Sequence, residues 1–228
     1  MQHNSVRHPD DPSSSILNQR PDYDPGAFIR ARLAVILMTA HGLAGKLPEA
    51  QAEYENIVAL ARANQGNAEV ALEQSKGMAN LIADYSTAGK LAEAQALYDD
   101  LAALARANKG QGEIAFSQAM GAFNLLTSYC AVEKLPEARS QYDDLAALAR
   151  ANRSNAKIAM QQAKGMVNLI AAYGTAGKLS EAQALYDDLA ALAQTYKGNT
   201  AIAMEQAKGM FNLTADYLAA GKTPSALA

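Results

Sequence analysis

Residues 93–105 read Glu-Ala-Gln-Ala-Leu-Tyr-Asp-Asp-Leu-Ala-Ala-Leu-Ala, and the same stretch returns unchanged at residues 181–193. Lysines recur at a constant interval of 44 residues along the chain, at Lys46, Lys90, Lys134, Lys178 and Lys222. An internal period of about 20 to 50 residues is typical of a solenoid, in which each unit buries its apolar face against its neighbours. The repeat therefore predicts the architecture before any single residue is assigned a role.

Each unit carries the pattern of two helices. In the second unit the first helix is predicted to follow the N-cap residue Asn67 and to end at Gly89. The second helix is predicted over residues 91–108, where apolar residues follow the i, i+3, i+4, i+7 spacing of an amphipathic helix. Prolines fall in the first turn of the second helices, where a missing N–H costs nothing, at Pro48, Pro136 and Pro224.

A glycine stands inside the first helix of four successive units, at Gly77, Gly121, Gly165 and Gly209. A glycine inside a helix costs about 1 kcal/mol relative to alanine. Because the chain accepts this cost in every one of these units, we expect a neighbouring element to approach closely at each glycine.

These patterns predict an all-α fold with one solenoid domain over residues 25–222, built from the units 25–66, 67–110, 111–154, 155–198 and 199–222. Residues 1–24 are polar and contain several prolines, so we expect a flexible N-terminal extension there. Asp24 and Pro25 are the predicted cap and first position of the first helix. Residues 223–228 are expected to form a C-terminal tail, so that the fifth unit contributes only its first helix.

The residues at fixed positions of the unit resemble the tetratricopeptide repeat. That family is marked by a leucine and an aromatic residue in the first helix, a glycine at the turn, and an alanine and an aromatic residue in the second helix. The matching residues of the second unit are Leu81, Tyr85, Gly89, Ala94 and Tyr98, and the pattern returns in later units with Glu133 at one turn. The usual unit has about 34 residues, so the chain resembles a long-helix variant. The resemblance implies a right-handed α-α superhelix of about four and a half repeats.

The resemblance also implies a function, because members of this family bind extended peptides or partner helices in a concave groove lined by the first helices. It points to one asparagine per unit, standing four residues after a mostly basic position that Met120 interrupts. An amide donates and accepts hydrogen bonds, which suits a peptide backbone, and an ammonium group attracts a carboxylate. The expected partner is a protein or peptide segment that is acidic or ends in a carboxylate. The candidate peptide-binding residues are Arg32, Lys76, Asn80, Phe123, Asn124, Lys164, Val167, Asn168, Lys208, Phe211 and Asn212.

Two other interpretations stay open. The asparagines also fit a structural ladder between adjacent first helices, with the lysines merely solvated. The last helix carries Met204, Met210 and Phe211 without a second helix to cover them. This end fits a structural self-assembly module, a homo-oligomer that associates end to end through uncapped repeat surfaces.

No combination of residues in the sequence predicts catalysis, so we expect no enzymatic activity, no cofactor and no metal site. Adjacent helical residues do not share a face, so the pair Asp99-Asp100 and its repeats predict a solvated outer stripe. The histidines His3, His8 and His41 have no metal-ligand spacing. Cys130 is the single cysteine and is predicted to be a small filler that is buried or half-buried.

Charge and hydropathy narrow the class of partner. The formal net charge is -3 at pH 7, which provides no basic field for nucleic acid. The longest apolar run covers residues 33–38, far short of the roughly 20 residues that span a bilayer. We therefore expect neither a nucleic acid nor a membrane partner. With no secretory signal pattern and no disulfide framework, we expect a cytoplasmic protein.

Overall fold

The computed structural model describes residues 26–222, and within that range the chain forms helices and no strand. The first helices of the units are α1 (Ala27–Leu43), α3 (Ala68–Thr87), α5 (Gly112–Ala131), α7 (Ala156–Thr175) and α9 (Thr200–Ala219). The second helices are α2 (Leu47–Ala63), α4 (Leu91–Ala107), α6 (Leu135–Ala151) and α8 (Leu179–Thr195). The predicted all-α solenoid of repeated helix pairs is confirmed.

The predicted N-caps of the first helices are confirmed where the cap residue is asparagine. The side-chain oxygens of Asn67, Asn155 and Asn199 each accept hydrogen bonds from two backbone N–H groups of the first turn. Gln111 stands at the same place before α5 and makes no such bond. The first helices end at left-handed turns, and Glu133 adopts a φ of 58° where the other units have glycine. A non-glycine residue rarely adopts this conformation, so the turn is imposed on Glu133 by the repeat.

The helices form two layers. Each first helix packs directly against the next first helix and against the second helices on both sides of it in the chain. Within residues 26–222 no second helix approaches another second helix backbone to backbone. The first helices therefore make one continuous layer, whereas the second helices stand as separate ridges. The right-handed turn of the superhelix stays a prediction.

The glycines of the first helices lie where the preceding unit presses most closely. A Cβ built on Gly121 would lie 3.0 Å from Ile82, 3.2 Å from Leu101 and 3.4 Å from Tyr98. The same three contacts, from an apolar residue of the preceding first helix and from a leucine or isoleucine and a tyrosine of the preceding second helix, recur at Gly77, Gly165 and Gly209. The predicted close approach is therefore confirmed at every one of these glycines.

The first unit has no glycine at the corresponding position of its first helix. Leu33 stands where the later units have glycine, and it is 54 % exposed. Within the described residues no helix pair precedes α1, so nothing requires the small side chain there. Ile29 and Ile36 of α1 are also exposed.

Three predictions fall outside the described residues. The N-terminal extension 1–24, the cap pair Asp24-Pro25 and the tail 223–228 lie there. Among the residues that are described, α1 begins at Ala27 with Gly26 at its N-cap. No helix within residues 26–222 combines the length and the apolar character that a membrane span requires.

Substitution of Gly121 by valine tests the packing of the glycine positions. The Cβ alone would lie only 3.0 Å from Ile82 and 3.2 Å from Leu101, and the two methyl groups of valine add further volume. Overpacking of this kind costs about 1 to 3 kcal/mol. We expect the free energy of unfolding, measured in urea, to fall by about 2 kcal/mol. Ala147→Val, at an exposed position of α6, is the matched control. Equal stability of the two variants would contradict the close approach.

Candidate functional site

The predicted row of asparagines runs along the layer of first helices, and all four side chains are half-buried. Asn80 donates a hydrogen bond from Nδ2 to the Thr39 hydroxyl at 2.9 Å. Asn168 donates in the same way to Thr127, also at 2.9 Å. Each bond joins a first helix to the one before it, so part of the row acts as the structural ladder that the sequence left open.

The other two asparagines are placed differently. Asn124 reaches only the backbone carbonyl of Ala79, at 3.5 Å. Ala83 and Ala171 occupy the positions that hold threonine in the alternate units. The ladder therefore joins every second pair of first helices through a threonine hydroxyl.

Two lysines of the predicted row are paired within their own helices. Lys76 lies 2.7 Å from the carboxylate of Glu73, which is only 2 % exposed. Lys208 lies 2.8 Å from the carboxylate of Glu205, which is also buried. These ammonium groups neutralise buried carboxylates of their own helices, so less of their positive charge is available to attract a ligand.

Lys164 differs from the other two lysines. Glutamine stands at position 161, where the other units with a lysine have glutamate, and Lys164 lies over the Phe123 ring at 5.8 Å. Among residues 26–222 no carboxylate lies within ion-pair distance of Lys164. Among the described residues, the ammonium group of Lys164 is therefore not neutralised by a carboxylate, unlike those of Lys76 and Lys208.

The remaining predicted residues are spread over the layer and do not converge. Arg32 is exposed on α1, and Phe211 is 75 % exposed on α9. Val167 is buried among core residues, so little of it can contact a ligand. The structure brings Phe123, Lys164 and Asn168 together between α5 and α7, whereas Asn124 faces α3.

An apolar strip on α5 was missed as a site. Phe116, Met120 and Phe123 stand at i, i+4 and i+7, and all three are half-buried against the core. Met160 takes the place of Phe116 on α7 and is half-buried too. The i, i+4, i+7 spacing of these three apolar residues is visible in the sequence. The strip is hidden there because Met120 also stands at a position where other units have lysine. We call Phe116, Met120 and Phe123 the central strip.

Lysines of the next unit flank the central strip. The Lys157 ammonium lies 5.4 Å from the centre of the Phe116 ring, and Lys164 takes the corresponding place over Phe123. An ammonium group over an aromatic face is attracted by its quadrupole. Lys157 is also paired with Glu113 at 2.8 Å. The region thus combines apolar surface with positive charge at its edge.

Two carboxylates are partly buried in the layer of first helices. Asp84 lies in the last turn of α3 and Asp216 in the last turn of α9. The Oδ2 atom of each is buried and has no hydrogen-bond partner among residues 26–222. Burial raises the pKa of both carboxyl groups above the usual value.

The other polar groups considered in the sequence are accounted for. The Asp99-Asp100 pair and its repeats are exposed, as predicted. Cys130 is half-buried, and burial raises the pKa of its thiol to about 11, so the filler interpretation is confirmed. In the described part of the chain no three acidic, histidine or cysteine side chains are grouped as metal ligands.

Comparison with protein-family models, curated proteins and solved structures gives no match to the chain. The resemblance to the tetratricopeptide repeat therefore stays a prediction based on the residues themselves.

The two buried carboxyls predict a pH dependence of stability. Because their pKa values are raised, the folded chain holds both protons to a higher pH than the unfolded chain does. The free energy of unfolding then falls as pH rises from the ordinary value of 3.8 toward neutrality. We expect Asp84→Asn/Asp216→Asn to remove this part of the slope, and urea unfolding across that pH range measures it.

A double variant of the exposed stripe, Asp99→Asn/Asp187→Asn, is the matched control. The stability of the Asp84→Asn/Asp216→Asn chain relative to the wild type should increase with pH. A difference that stays constant with pH would show that the two carboxyls are not desolvated.

Proposed function

We propose that the chain is a non-catalytic scaffold that binds a protein or peptide segment on the layer of first helices, centred on the central strip. The observation that carries this proposal is the strip itself. Phe116, Met120 and Phe123 lie on one face of α5 and are only half-buried. A strip of this spacing matches the apolar face of a partner helix or alternate side chains of an extended peptide.

The strip has the size and chemistry of a contact centre. Complete burial of an aromatic or methionine side chain contributes about 1.5 to 3 kcal/mol, and aromatic residues and methionine are enriched at interfaces. Methionine adapts to ligands of different shape because its side chain is unbranched and polarisable. The two phenylalanines on either side of Met120 supply the rigid surface.

The charge at the edge favours an acidic partner. Lys164 lies beside Phe123, and no carboxylate of the described residues pairs with it. A carboxylate on the partner, next to its apolar anchor, would form an ion pair at the rim of the contact. The amides contribute less than the sequence indicated, because one N–H group of Asn80 and one of Asn168 already bond to threonine.

The arrangement of the layers supports the choice of face. The first helices touch one another and form a continuous surface, whereas the second helices are separated by clefts. A layer whose elements lie closer together takes the inner side of any curvature. The expected concave groove would then be lined by the first helices.

Selection of binders from a random peptide library tests the proposal. We expect the selected peptides to be rich in apolar and acidic residues. Phe123→Ala should weaken their binding at least tenfold, about 1.4 kcal/mol, because the apolar anchor is lost. Lys164→Glu should weaken it through charge repulsion. Fluorescence anisotropy of the labelled peptides measures both dissociation constants.

Phe211→Ala is the matched control, because Phe211 occupies the same place in the repeat as Phe123 but lies on α9. Its dissociation constant should equal that of the wild type. Peptides that bind Phe123→Ala as tightly as the wild type would refute the central strip as the site.

Self-association is the second candidate function, and a different observation favours it. The last helix exposes Met204, Met210, Phe211 and Leu218, all on α9. Apolar side chains that are exposed together indicate a contact surface. A second copy could cover them and continue the layer of helices.

Sedimentation velocity over a range of concentrations tests this candidate. If α9 is a contact surface, the wild type should associate as its concentration rises, and Met204→Gln/Phe211→Gln should sediment as a monomer. Met120→Gln is the control and should leave the association unchanged. A wild-type chain that stays monomeric at the highest concentration would rule out association through this end.

A further inference from the structure

In two of the four interfaces between adjacent first helices, a glycine of one helix faces an aspartate of the next. Gly42 of α1 faces Asp84 of α3, and Gly174 of α7 faces Asp216 of α9. In both pairs a Cβ on the glycine would overlap the carboxylate. The two interfaces between these hold Ser86 with Ser128 and Cys130 with Ala172 in the same register. In both pairs, the aspartate therefore faces a glycine of the preceding first helix.

The fold does not require these carboxylates. Serine and alanine take the same position at Ser128 and Ala172. Asp84 and Asp216 lie at the C-terminal ends of their helices, where the helix dipole disfavours a negative charge. Each also has a buried oxygen without a hydrogen-bond donor among the described residues, which costs free energy. Each carboxylate costs free energy, and other units fold with a different residue in its place. Its presence at two interfaces is therefore explained by a role other than stability.

A cleft of about 600 Å³ surrounds Asp84, between the C-terminal ends of α1 and α3. Its polar lining comes from Thr39, Asn80, Asp84 and Thr87. Both threonine hydroxyls donate to the backbone carbonyl four residues earlier, so their oxygens act only as acceptors. The Thr39 oxygen already accepts from Asn80, whereas the Thr87 oxygen accepts no side-chain hydrogen bond from the described residues. Asn80 uses Nδ2 on Thr39 and keeps Oδ1 as an acceptor. The cleft therefore offers mainly hydrogen-bond acceptors.

The charge on the described residues that line the cleft is negative. No lysine, arginine or histidine is among the described residues that line it. The carbonyl ends of two helices add partial negative charge to that of Asp84. One carboxylate is too few for a calcium ion, which takes six to eight oxygen ligands, several of them usually charged. A compact monovalent cation that donates several hydrogen bonds fits better.

We propose that the Asp84 cleft binds a primary alkylammonium group, such as the end of a lysine side chain. The ammonium donates to the Asp84 carboxylate and to the neutral oxygens of Asn80 and Thr87, and its alkyl chain lies against Leu43 and Leu47 at the mouth of the cleft. Asp216, with Asn212 four residues before it, repeats the carboxylate and the amide at the other end of the layer. The proposal is independent of the central strip.

Carbon-13 NMR of the aspartate side chains, with two amines as probes, tests the site. Nα-acetyl-lysine amide represents a polypeptide lysine, butylammonium represents a free amine, and Nα-acetyl-norleucine amide is the uncharged control. We expect a saturable shift of the Asp84 side-chain carboxyl carbon with both amines and none with the control. Binding of the lysine probe alone would identify a polypeptide as the source of the ammonium. Binding of butylammonium alone would identify a free amine.

The variants separate the site from general effects of charge. Asp84→Asn and Asp84→Ala should each weaken binding to the α1–α3 cleft at least tenfold, followed through the Leu43 and Leu47 methyl signals. Alanine is accepted at the same position of α7, so the second variant guards against a folding defect in the first. Asp100→Asn on the exposed stripe should have no effect, and Phe123→Ala should also leave this binding unchanged. No saturable shift, an equal shift with the norleucine probe, or unchanged binding in both Asp84 variants would overturn the proposal.

Discussion

The contact between a first-helix glycine and the leucine and tyrosine of the preceding second helix holds this structure together. At Gly121 the side chains of Leu101 and Tyr98 reach the backbone of α5 because no Cβ stands in the way. Ile82 of the preceding first helix reaches the same point of α5, so this helix packs against both helices of the preceding unit. Within the described residues the second helices do not approach one another backbone to backbone. Every surface discussed above follows from the glycine contact, since only closely packed first helices can share hydrogen bonds, clefts and a common face.

Much of the fold could be predicted from the sequence because the period repeats the same local signals. Asparagine caps return three times and turn glycines four times, so the same local signals support one another from unit to unit. Glu133 shows the strength of this constraint, because it adopts the left-handed turn of the glycines it replaces.

The site was harder to predict, because neighbouring helices are staggered relative to the period. Residues that touch across first helices are separated by 41 residues for Thr39 and Asn80, and by 42 for Ser75 and Ser117. Comparison at intervals of 44 residues aligns equivalent positions, and so finds the pair Glu113–Lys157, but it does not align the asparagines with their partners. The bonds of the asparagines and the glycine–aspartate pairs therefore appear only when the helices are packed. The ion pairs Lys76–Glu73 and Lys208–Glu205 are i, i+3 pairs within one helix, a spacing that is visible in the sequence itself.

In our proposal the function depends on the residues that differ between units, whereas the fold depends on the residues that the units share. The third unit has Phe116, Met120 and Phe123 where the fourth has Met160, Lys164 and Val167. A strip so different from its repeats is not needed for packing, since the other units pack without it. The same reasoning applies to the aspartates that stand in two of the four interfaces between first helices.

The methionine methyl groups offer the most direct test of the central claim, that the layer of first helices recognises a partner at the central strip. Methyl NMR of the chain with a library-selected peptide reports on three regions at once. Met120 and Met160 lie on or beside the strip, Met38, Met78 and Met166 lie in the core, and Met204 and Met210 lie on α9. Our account predicts that the peptide shifts the signals of Met120 and Met160 and leaves those of Met204 and Met210 in place. Shifts confined to Met204 and Met210 would contradict it, and so would the absence of a shift in all seven signals.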